Sequence, residues 1–339
     1  MREKTQWIKD LSTGMAVNEM FVIAELRSGP RPTGNQPLKF NLRDATGIIH
    51  AHMWWQDAEE YNEKYALVAG AYNDESVVLA QGVVNTYHGE SQLEVRSLEV
   101  LEDGEFAEFP TIPSIEPEEL QRLEEELLGL VRKNLESAPD SADARFAGRI
   151  LEAFLSDEGF MDRFRQAPGA RFYHHARRGG LLEHTYNVTR LAVGTAKLFN
   201  KTYGNAVSEP LVLSGALLHD VGKMDSYEIG RRDIRDTFAG QTVGHIFLGM
   251  MAVQRVAEAT FVPEELVRLP ALLHIIASHH GQAEFGAPVE PKFPEAFIIY
   301  YADDLDAKLE HISRTMAQDL PGYSIMLKRV LFPPVGWGE

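Results

Sequence analysis

The hydrophobic pattern of the chain changes once along its length, and this change limits the fold more than any other feature. Before residue 105, apolar and polar residues alternate in short runs, which is typical of β-strands with one buried face. From residue 142 almost to the end, apolar residues recur every three or four positions, as on one face of a helix. Between these regions, residues 109–117 contain three prolines and indicate a linker.

The first region predicts a small β-barrel or β-sandwich. Its strand-like runs are separated by turn signals, such as residues 44–47 and 87–90. About five short strands in about a hundred residues fit either fold. The predicted strands are residues 21–26, 38–42, 48–55, 76–84 and 92–101.

The second region predicts an all-α domain. An acidic helix begins at Pro117, because proline is favoured in the first turn of a helix, and runs to about residue 135. We therefore expect an N-terminal barrel domain (1–106), a linker with the acidic helix (107–140) and a helical domain (141–339) with a core at 172–312. A length of 339 residues is ample for two domains.

The chain has no cysteine, which excludes disulfides, zinc fingers with thiolate ligands, iron–sulfur clusters and a cysteine nucleophile. Any bound metal must be held by nitrogen and oxygen atoms. Of the 12 histidines, nine lie between His174 and His311. We therefore expect chemistry that uses imidazole to lie in the helical domain.

The charge and hydropathy of the chain limit its partners. A net charge of −17 argues against strong, sequence-independent binding to duplex DNA, because that binding depends on many contacts from Lys and Arg to phosphates. It leaves local basic grooves open. No apolar run is as long as a membrane-spanning helix, and the first ten residues lack the apolar stretch of a signal peptide. We expect a cytoplasmic protein without a membrane partner, and the sequence leaves a homo-oligomer open.

Five successive helical segments carry His or Asp side chains on apolar faces. A single such residue is more simply a core side chain with a hydrogen bond, since an unpartnered buried polar group costs several kcal/mol. Seven of them on five segments favour a metal site, because facing helices bring side chains together inside a bundle. Imidazole and carboxylate ligands suit Mn, Fe, Co, Ni or Zn, as one or two ions. The seven are His184, His219, Asp220, His245, His279, His280 and Asp303.

His184, the run His-Asp-Val-Gly-Lys at residues 219–223, and Asp303 resemble the HD-domain superfamily of metal-dependent phosphohydrolases. The resemblance implies that His184, His219, Asp220 and Asp303 bind one metal. It further implies that Asp220 bridges to a second metal, for which His245, His279 and His280 are the additional ligands. The family pattern favours Asp303, which follows Ala302, over Asp304 as the final ligand.

A narrower resemblance covers nearly the whole chain. Residues 40–44, 47–51 and Trp54 look like the OB-fold of YhaM-type 3′-to-5′ exoribonucleases, and residues 174–185 are similar to the segment that leads to the first ligand in that family. The order of the two domains is also the same. The resemblance implies metal-dependent exonuclease action on single-stranded RNA, allows single-stranded DNA as well, and makes manganese the expected ion.

Several residues are candidates for contacts with such a substrate. Residues 163–182 contain five arginines and no acidic residue, and we interpret His175, Arg177 and Arg178 as phosphate contacts. The alternative is a basic, solvated face that pairs with the acidic helix. In the barrel, Phe40 and Trp54 could stack on bases, although core packing is the alternative for each.

Asp220 and Lys223 are the candidate catalytic residues. Lys223 follows the His-Asp pair by one short turn and could neutralise charge that develops on a phosphoryl group. The alternative is a solvated lysine that complements a helix dipole.

Two other functions stay open. One is hydrolysis of a nucleotide or cyclic nucleotide, although the GYP motif of HD enzymes that act on cyclic dinucleotides is absent. The other is a non-catalytic scaffold that binds nucleic acid or takes part in signalling. The presence of all seven ligand candidates argues against this scaffold.

Overall fold

The structure is a computed structural model, and it describes residues 1–87, 90–172, 174–204, 206–316, 322–324, 327 and 329–332. The chain forms two compact units. The barrel unit contains Met1–Pro113, Ile229–Ile234 and the described part of Ile312–Glu339. The helical unit contains Ser114–Glu228 and Arg235–His311.

Five strands form a closed barrel in the order β1-β2-β3-β5-β4. Neighbouring strands are antiparallel, except for β3 and β5, which pair in parallel. A closed five-stranded barrel with this order is of the OB type, so the predicted fold class of the first region is confirmed. The strands are β1 (Ala16–Leu26), β2 (Leu38–Asp44), β3 (Gly47–Met53), β4 (Val77–Tyr87) and β5 (Glu90–Val100).

The barrel core takes alternate residues from β2, as expected for a strand with a period of two. Leu38, Phe40 and Leu42 are fully buried in it. The prediction that Phe40 stacks on a base is therefore wrong, because its ring is not accessible. Trp54, just after β3, is 52% exposed. Trp55 is half-buried and donates its indole N–H to the carbonyl oxygen of Gln36 over 2.9 Å.

The barrel unit also contains a helix that the sequence reading missed, α1 (Ala58–Asn73). Asp57 caps it by accepting a hydrogen bond from the backbone N–H of Glu60 over 2.9 Å. The helix buries Tyr61, Val68 and Ala71. Its sequence lacks a clear apolar stripe, so the acidic pair Asp57 and Glu60 was the usable signal for a helix start.

A short segment from much later in the chain, Ile229–Ile234, belongs to the barrel unit. Within this unit the guanidinium of Arg43 donates to the Asp233 carboxylate over 2.6 Å, and both side chains are fully buried. The backbone N–H of Arg232 donates to the carboxylate of Glu75 over 2.6 Å. A buried charge is costly without a partner of opposite charge. This ion pair therefore ties the segment to the strands of the barrel unit.

The second region is helical, as predicted. It contains α2 (Pro117–Ser137), α3 (Ala142–Leu155), α4 (Glu158–Gln166), α5 (Gly180–Tyr203), α6 (Glu209–Leu218), α7 (Lys223–Ser226), α8 (Phe238–Thr242), α9 (His245–Thr260), α10 (Leu269–Ser278) and α11 (Pro294–Met316). Two short ribbons complete the described structure: β6 (Tyr227–Ile229) with β7 (Ile234–Asp236), and β8 (Gly322–Ser324) with β9 (Arg329–Leu331). None of the helices described in the structure is long and apolar enough to cross a membrane.

The apolar faces of the helices pack into two clusters inside the helical unit. One contains Leu181 of α5 with Leu217 of α6 and Ile276 of α10. The other contains Val188 of α5 and Ile299 of α11. Helices α5, α6, α10 and α11 are therefore held side by side, and this packing fixes the polar side chains at their ends.

Candidate metal centre

The seven ligand candidates lie close together, and most of them stand at helix ends. His219 and Asp220 follow the last residue of α6, His279 and His280 follow the last residue of α10, and His245 is the first residue of α9. Their side-chain donor atoms form two groups, in each of which all atoms lie within 4.8 Å of one another. One group is His184, His219, Asp220 and Asp303, and the other is His245, His279 and His280.

The carboxylate of Asp220 lies between the two groups. Its Oδ2 is 3.2 Å from His184 Nε2 and 3.3 Å from His219 Nε2. Its Oδ1 is 3.6 Å from His245 Nε2 and 3.5 Å from His279 Nε2. Each oxygen therefore faces a different group, so this one carboxylate belongs to both.

Hydrogen bonds at Nδ1 set the tautomer of four of these histidines. A nitrogen that donates N–H to an oxygen leaves the other ring nitrogen of a neutral imidazole with a free lone pair. The Nε2 atoms are therefore the ones available to a metal. The Nδ1 bonds run from His184 to Asp306 Oδ2 (2.7 Å), from His219 to Ala216 O (2.8 Å), from His279 to Ile276 O (2.7 Å) and from His280 to Phe285 O (2.8 Å).

The residues fit a divalent cation. The Nε2 atoms of His184 and His219 are 3.2 Å apart, and both lie close to Asp220 Oδ2. Oδ1 of Asp220 and the Nε2 atoms of His245 and His279 are buried without a hydrogen-bond partner among the described residues. Unpartnered buried acceptors are costly, and a cation between them would satisfy all of them at once.

Burial and neighbouring charges set the protonation of the ligands. Burial lowers the pKa of His280 to about 4, so its imidazole is neutral near pH 7. Burial raises the pKa of Asp220, but Lys223 and His219 outweigh this effect and hold it well below the usual value. Burial lowers the pKa of His184, but hydrogen bonds to Asp220, Asp303 and Asp306 raise it well above 6.5 in the metal-free site. The site is thus rich in ionised carboxylate.

The two groups differ in their access to solvent. His184 and His219 are fully buried, whereas the side chains of His245 and Asp303 are 18% and 13% exposed. His280 is also only partly buried. Water and a substrate would therefore reach the centre from the side of these three residues.

Lys223 is buried beside Asp220. Its side chain is 7% exposed, and its Nζ lies 2.6 Å from Asp220 Oδ2. The solvated, helix-end lysine that was the alternative interpretation does not apply. Lys223 instead holds one oxygen of the central carboxylate and places a positive charge at the centre.

Gly222 explains how α9 reaches the site. Helix α6 ends at Leu218, four residues before Gly222, and Gly222 has an ordinary φ of −67°. A Cβ at this position would lie 2.0 Å from the carbonyl oxygen of His245 and 2.4 Å from the N of Gly249. Glycine therefore allows the first turn of α9, with His245, to approach the His-Asp segment.

The predictions for His175 and Arg177 as phosphate contacts are wrong. His175 is 1% exposed, and its ring nitrogens lie 2.9 Å from Glu183 Oε2 and 2.8 Å from Asp306 Oδ2. The guanidinium of Arg177 pairs with the carboxylates of Glu183 and Glu310. Both side chains are already bonded inside the helical unit. Arg178 is half-buried, so it stays a candidate.

Two residues near the ligands were missed by the sequence reading. The ring of His174 lies 5.9 Å from that of His184, and its Nδ1 is buried without a partner among the described residues. Burial, with Lys223 and His184 nearby, lowers the pKa of His174 to about 3, so the ring is neutral. Asp306, which bonds to His184, is the second. It lies three residues after Asp303 on the same helix, and this spacing was the available signal.

Comparison with known proteins gives two results. Residues 181–308 match the family model of the HD domain. The chain is also similar, over most of its length, to curated proteins named 3′-5′ exoribonuclease YhaM. The protein from Geobacillus sp. is 27% identical over 314 residues (91% of this chain, 87% of that protein). The Bacillus subtilis protein is 29% identical over 315 residues (91% and 90%), and the Listeria monocytogenes serotype 4b protein 27% over 317 residues (92% and 92%). Both resemblances inferred from the sequence are confirmed.

Proposed function

We propose that this chain, which carries an HD domain and is homologous to the YhaM exoribonucleases, is a metal-dependent 3′-to-5′ exoribonuclease that acts on single-stranded RNA. The observation that carries the proposal is the position of Asp220 between two groups of ligands in a domain of this family. The names of the relatives supply the substrate class and the direction.

The ligand set supports one or two transition-metal ions, and we propose manganese. His184, His219, Asp220 and Asp303 would hold one ion, and Asp220 with His245, His279 and His280 would hold the other. Mixed imidazole and carboxylate ligands without sulfur suit a metal of this kind. When bound, such ions lower the pKa of water towards neutrality and offset the negative charge of a phosphodiester.

The protein side chains would do the rest of the chemistry. Lys223 fixes one oxygen of Asp220 and adds positive charge where negative charge grows on the phosphoryl group. We place His174 and Arg178 at the substrate. The neutral ring of His174 can donate one hydrogen bond to a phosphoryl oxygen, and Arg178 is the arginine of this segment that stays available.

We propose that the barrel captures the RNA strand. OB-folds bind single strands by stacking bases on aromatic rings, and Trp54 is the exposed ring among the predicted stacking residues. The ring of Trp54 contacts that of His52 edge-on, with centroids 6.1 Å apart. This contact holds the indole while one of its faces is available to a base.

The test is a time course on single-stranded RNA and DNA labelled at either end, with Mn²⁺ or with EDTA. We expect RNA to shorten from its 3′ end with Mn²⁺ and to stay intact with EDTA. Asp220→Asn should remove the activity by more than about a hundredfold, because both groups lose a charged ligand. Asp225→Asn is the matched control, since Asp225 pairs with Arg163 at the surface.

Two results would contradict the proposal. Intact RNA in the presence of metal-loaded protein would do so, and hydrolysis of a free nucleotide under the same conditions would then favour the small-molecule alternative. Shortening from the 5′ end would overturn the direction alone. Equal rates on DNA would widen the substrate to both nucleic acids.

A further inference from the structure

A chain of hydrogen-bonded side chains is attached to His184 through Nδ1, the ring nitrogen that is not among the ligand atoms. His184 Nδ1 donates to Asp306 Oδ2 over 2.7 Å, and His175 Nε2 donates to the same oxygen over 2.8 Å. The other nitrogen of His175 lies 2.9 Å from Glu183 Oε2. The guanidinium of Arg177 then joins Glu183 (2.6 Å) to Glu310 (2.8 Å).

The backbone at His175 shows that this arrangement is held against strain. His175 has a φ of 55°, in the left-handed region, which is energetically unfavourable for a residue with a side chain. Two glycines make room for it. A Cβ on Gly180 would lie 2.0 Å from the His175 carbonyl oxygen, and one on Gly169 would lie 2.6 Å from the His175 Cβ. Backbone strain of this kind persists only where the surrounding contacts fix the conformation, and it is common at functional sites.

Asp306 is placed to accept hydrogen bonds. Its Oδ2 lies within hydrogen-bond distance of a ring nitrogen of both His175 and His184, and a carboxylate oxygen can accept both bonds. The N–O distances of 2.7 and 2.8 Å are hydrogen-bond lengths with a proton between the atoms. His175, His184 and Asp306 thus form a bonded support, although they also lie close enough to be considered as a third group of metal ligands.

We propose that Asp306 and His175 are positioning residues of the metal centre. Asp306 holds His184 in the tautomer and orientation whose Nε2 lone pair faces Asp220 and Asp303, and His175 holds Asp306 in place. Glu183 and Arg177 complete the support. The proposal rests on the proposed function only for the presence of a divalent metal, and it requires nothing about RNA.

The first experiment measures Mn²⁺ binding by isothermal titration calorimetry in the absence of RNA. Removal of a partner of this kind weakens metal affinity by about 10–100-fold. We expect this loss for Asp306→Asn. Asp304→Asn is the matched control, because Asp304 is a carboxylate on the same helix that pairs with Lys308 at the surface. It should change the affinity less than about twofold. The melting temperature of each metal-free variant shows whether it is folded.

The second experiment compares two variants at residue 175. His175→Gln keeps an N–H donor that can reach Asp306, whereas His175→Leu removes it, and both side chains meet the same backbone strain. We expect the Leu variant to lose Mn²⁺ affinity about as much as Asp306→Asn, and the Gln variant to recover part of the loss. If His175 only stabilised the fold, the Gln and Leu variants would bind Mn²⁺ with equal affinity.

The proposal is overturned if His175→Leu and Asp306→Asn bind Mn²⁺ as tightly as the wild-type protein. If Asp306→Asn does not fold, the pair at residue 175 decides the question alone. Because RNA is absent from these titrations, a failure to degrade RNA leaves their result unchanged. Conversely, the variants could bind Mn²⁺ with unaltered affinity while the protein degrades RNA. This result would support the proposed function and contradict the positioning roles.

Discussion

His184 offers the same atom, Nε2, to a proton and to a metal ion. In the metal-free site, hydrogen bonds to Asp220, Asp303 and Asp306 outweigh burial and raise the pKa of His184 well above 6.5, so the ring is protonated at neutral pH. A metal can bind only after that proton has left. Metal affinity should therefore rise with pH until the pH passes the pKa of the metal-free ring.

We predict that Mn²⁺ binding at pH 7 releases about one proton from His184. Titration calorimetry in two buffers with different ionisation enthalpies measures this number directly. The heat of binding should differ between the buffers by the difference in their ionisation enthalpies. Equal heats in the two buffers would mean that no proton leaves, and the pKa of His184 would then not be raised.

Trp54 provides a prediction for the barrel. Trp54→Ala should weaken binding of single-stranded RNA by about 1–3 kcal/mol, the value of one stacked base. Trp54→Phe should retain most of the affinity, because a ring remains. Fluorescence anisotropy in EDTA measures binding without cleavage. An unchanged Kd for Trp54→Ala, with an unchanged melting temperature, would remove Trp54 from the RNA surface.

At the scale of single residues, the ligands could be predicted and their surroundings could not. A histidine on an apolar helix face is visible in the sequence, since the helical period alone places it inside. The errors at His175 and Arg177 have one physical cause. Their carboxylate partners include Asp306 and Glu310, which lie more than a hundred residues later and reach them only through the packing of α11.

Among the elements, helices that end at the same place build the metal centre. The sequence predicted helical segments around the ligands, because apolar residues recur beside them at three- and four-residue steps, as Leu181, His184 and Val188 do on α5. Helix α1 was missed because its apolar residues form no clear stripe and its neighbours are strands. The role of Gly222 could not be predicted from the sequence. A glycine near a helix end predicts a stop, whereas here it allows a close approach that only the folded structure shows.

The close approach at Gly222 leads to a prediction. Gly222→Ala should push the first turn of α9 away from the His-Asp segment, because the new Cβ would meet backbone atoms of His245 and Gly249. We expect a loss of about 1–3 kcal/mol of stability, as for other overpacked sites, and loss of the ion that His245 helps to hold. Thermal unfolding and the metal-to-protein ratio measure the two effects.

Gly194→Ala is the matched control for Gly222→Ala. Gly194 lies inside α5, and a Cβ there would have no heavy atom within 4 Å. The change should stabilise the helix by up to about 1 kcal/mol, because alanine has the higher helix propensity. If both variants behaved alike, the close contact at Gly222 would not be the reason for its glycine.

Over the whole molecule, the fold class of each region followed from periodicity, since a period of two and a period near 3.6 are distinct in sequence. Periodicity could not predict which segments of the chain make up the barrel unit. Its buried ion pair joins Arg43 to Asp233, and no local pattern links residues so far apart. Arg231 and Arg232 are adjacent in the sequence, and both pair with acidic residues of the barrel unit, among them Asp103.

We predict that Asp233→Ala destabilises the barrel unit by about 3–5 kcal/mol, because it leaves Arg43 as a buried charge without this partner. Trp7, Trp54 and Trp55 lie in the barrel unit, whereas residues 114–228 and 235–311 of the helical unit contain no tryptophan, so denaturant unfolding followed by tryptophan fluorescence reports on the barrel unit. Asp225→Ala, which removes an exposed partner of Arg163, should cost less than about 1 kcal/mol. Equal effects would show that the Arg43 pair contributes no more than a surface pair.

The position of Asp233 in the chain also sets an order of events during synthesis. The strands of the barrel are complete once residue 100 has left the ribosome, yet Arg43 then lacks its carboxylate. Residues 114–228, which contain His184, His219 and Asp220, must be made before Asp233 is available. The barrel unit is thus completed only after much of the helical unit has been synthesised, and a fragment that ends at Pro113 would lack the carboxylate with which Arg43 pairs.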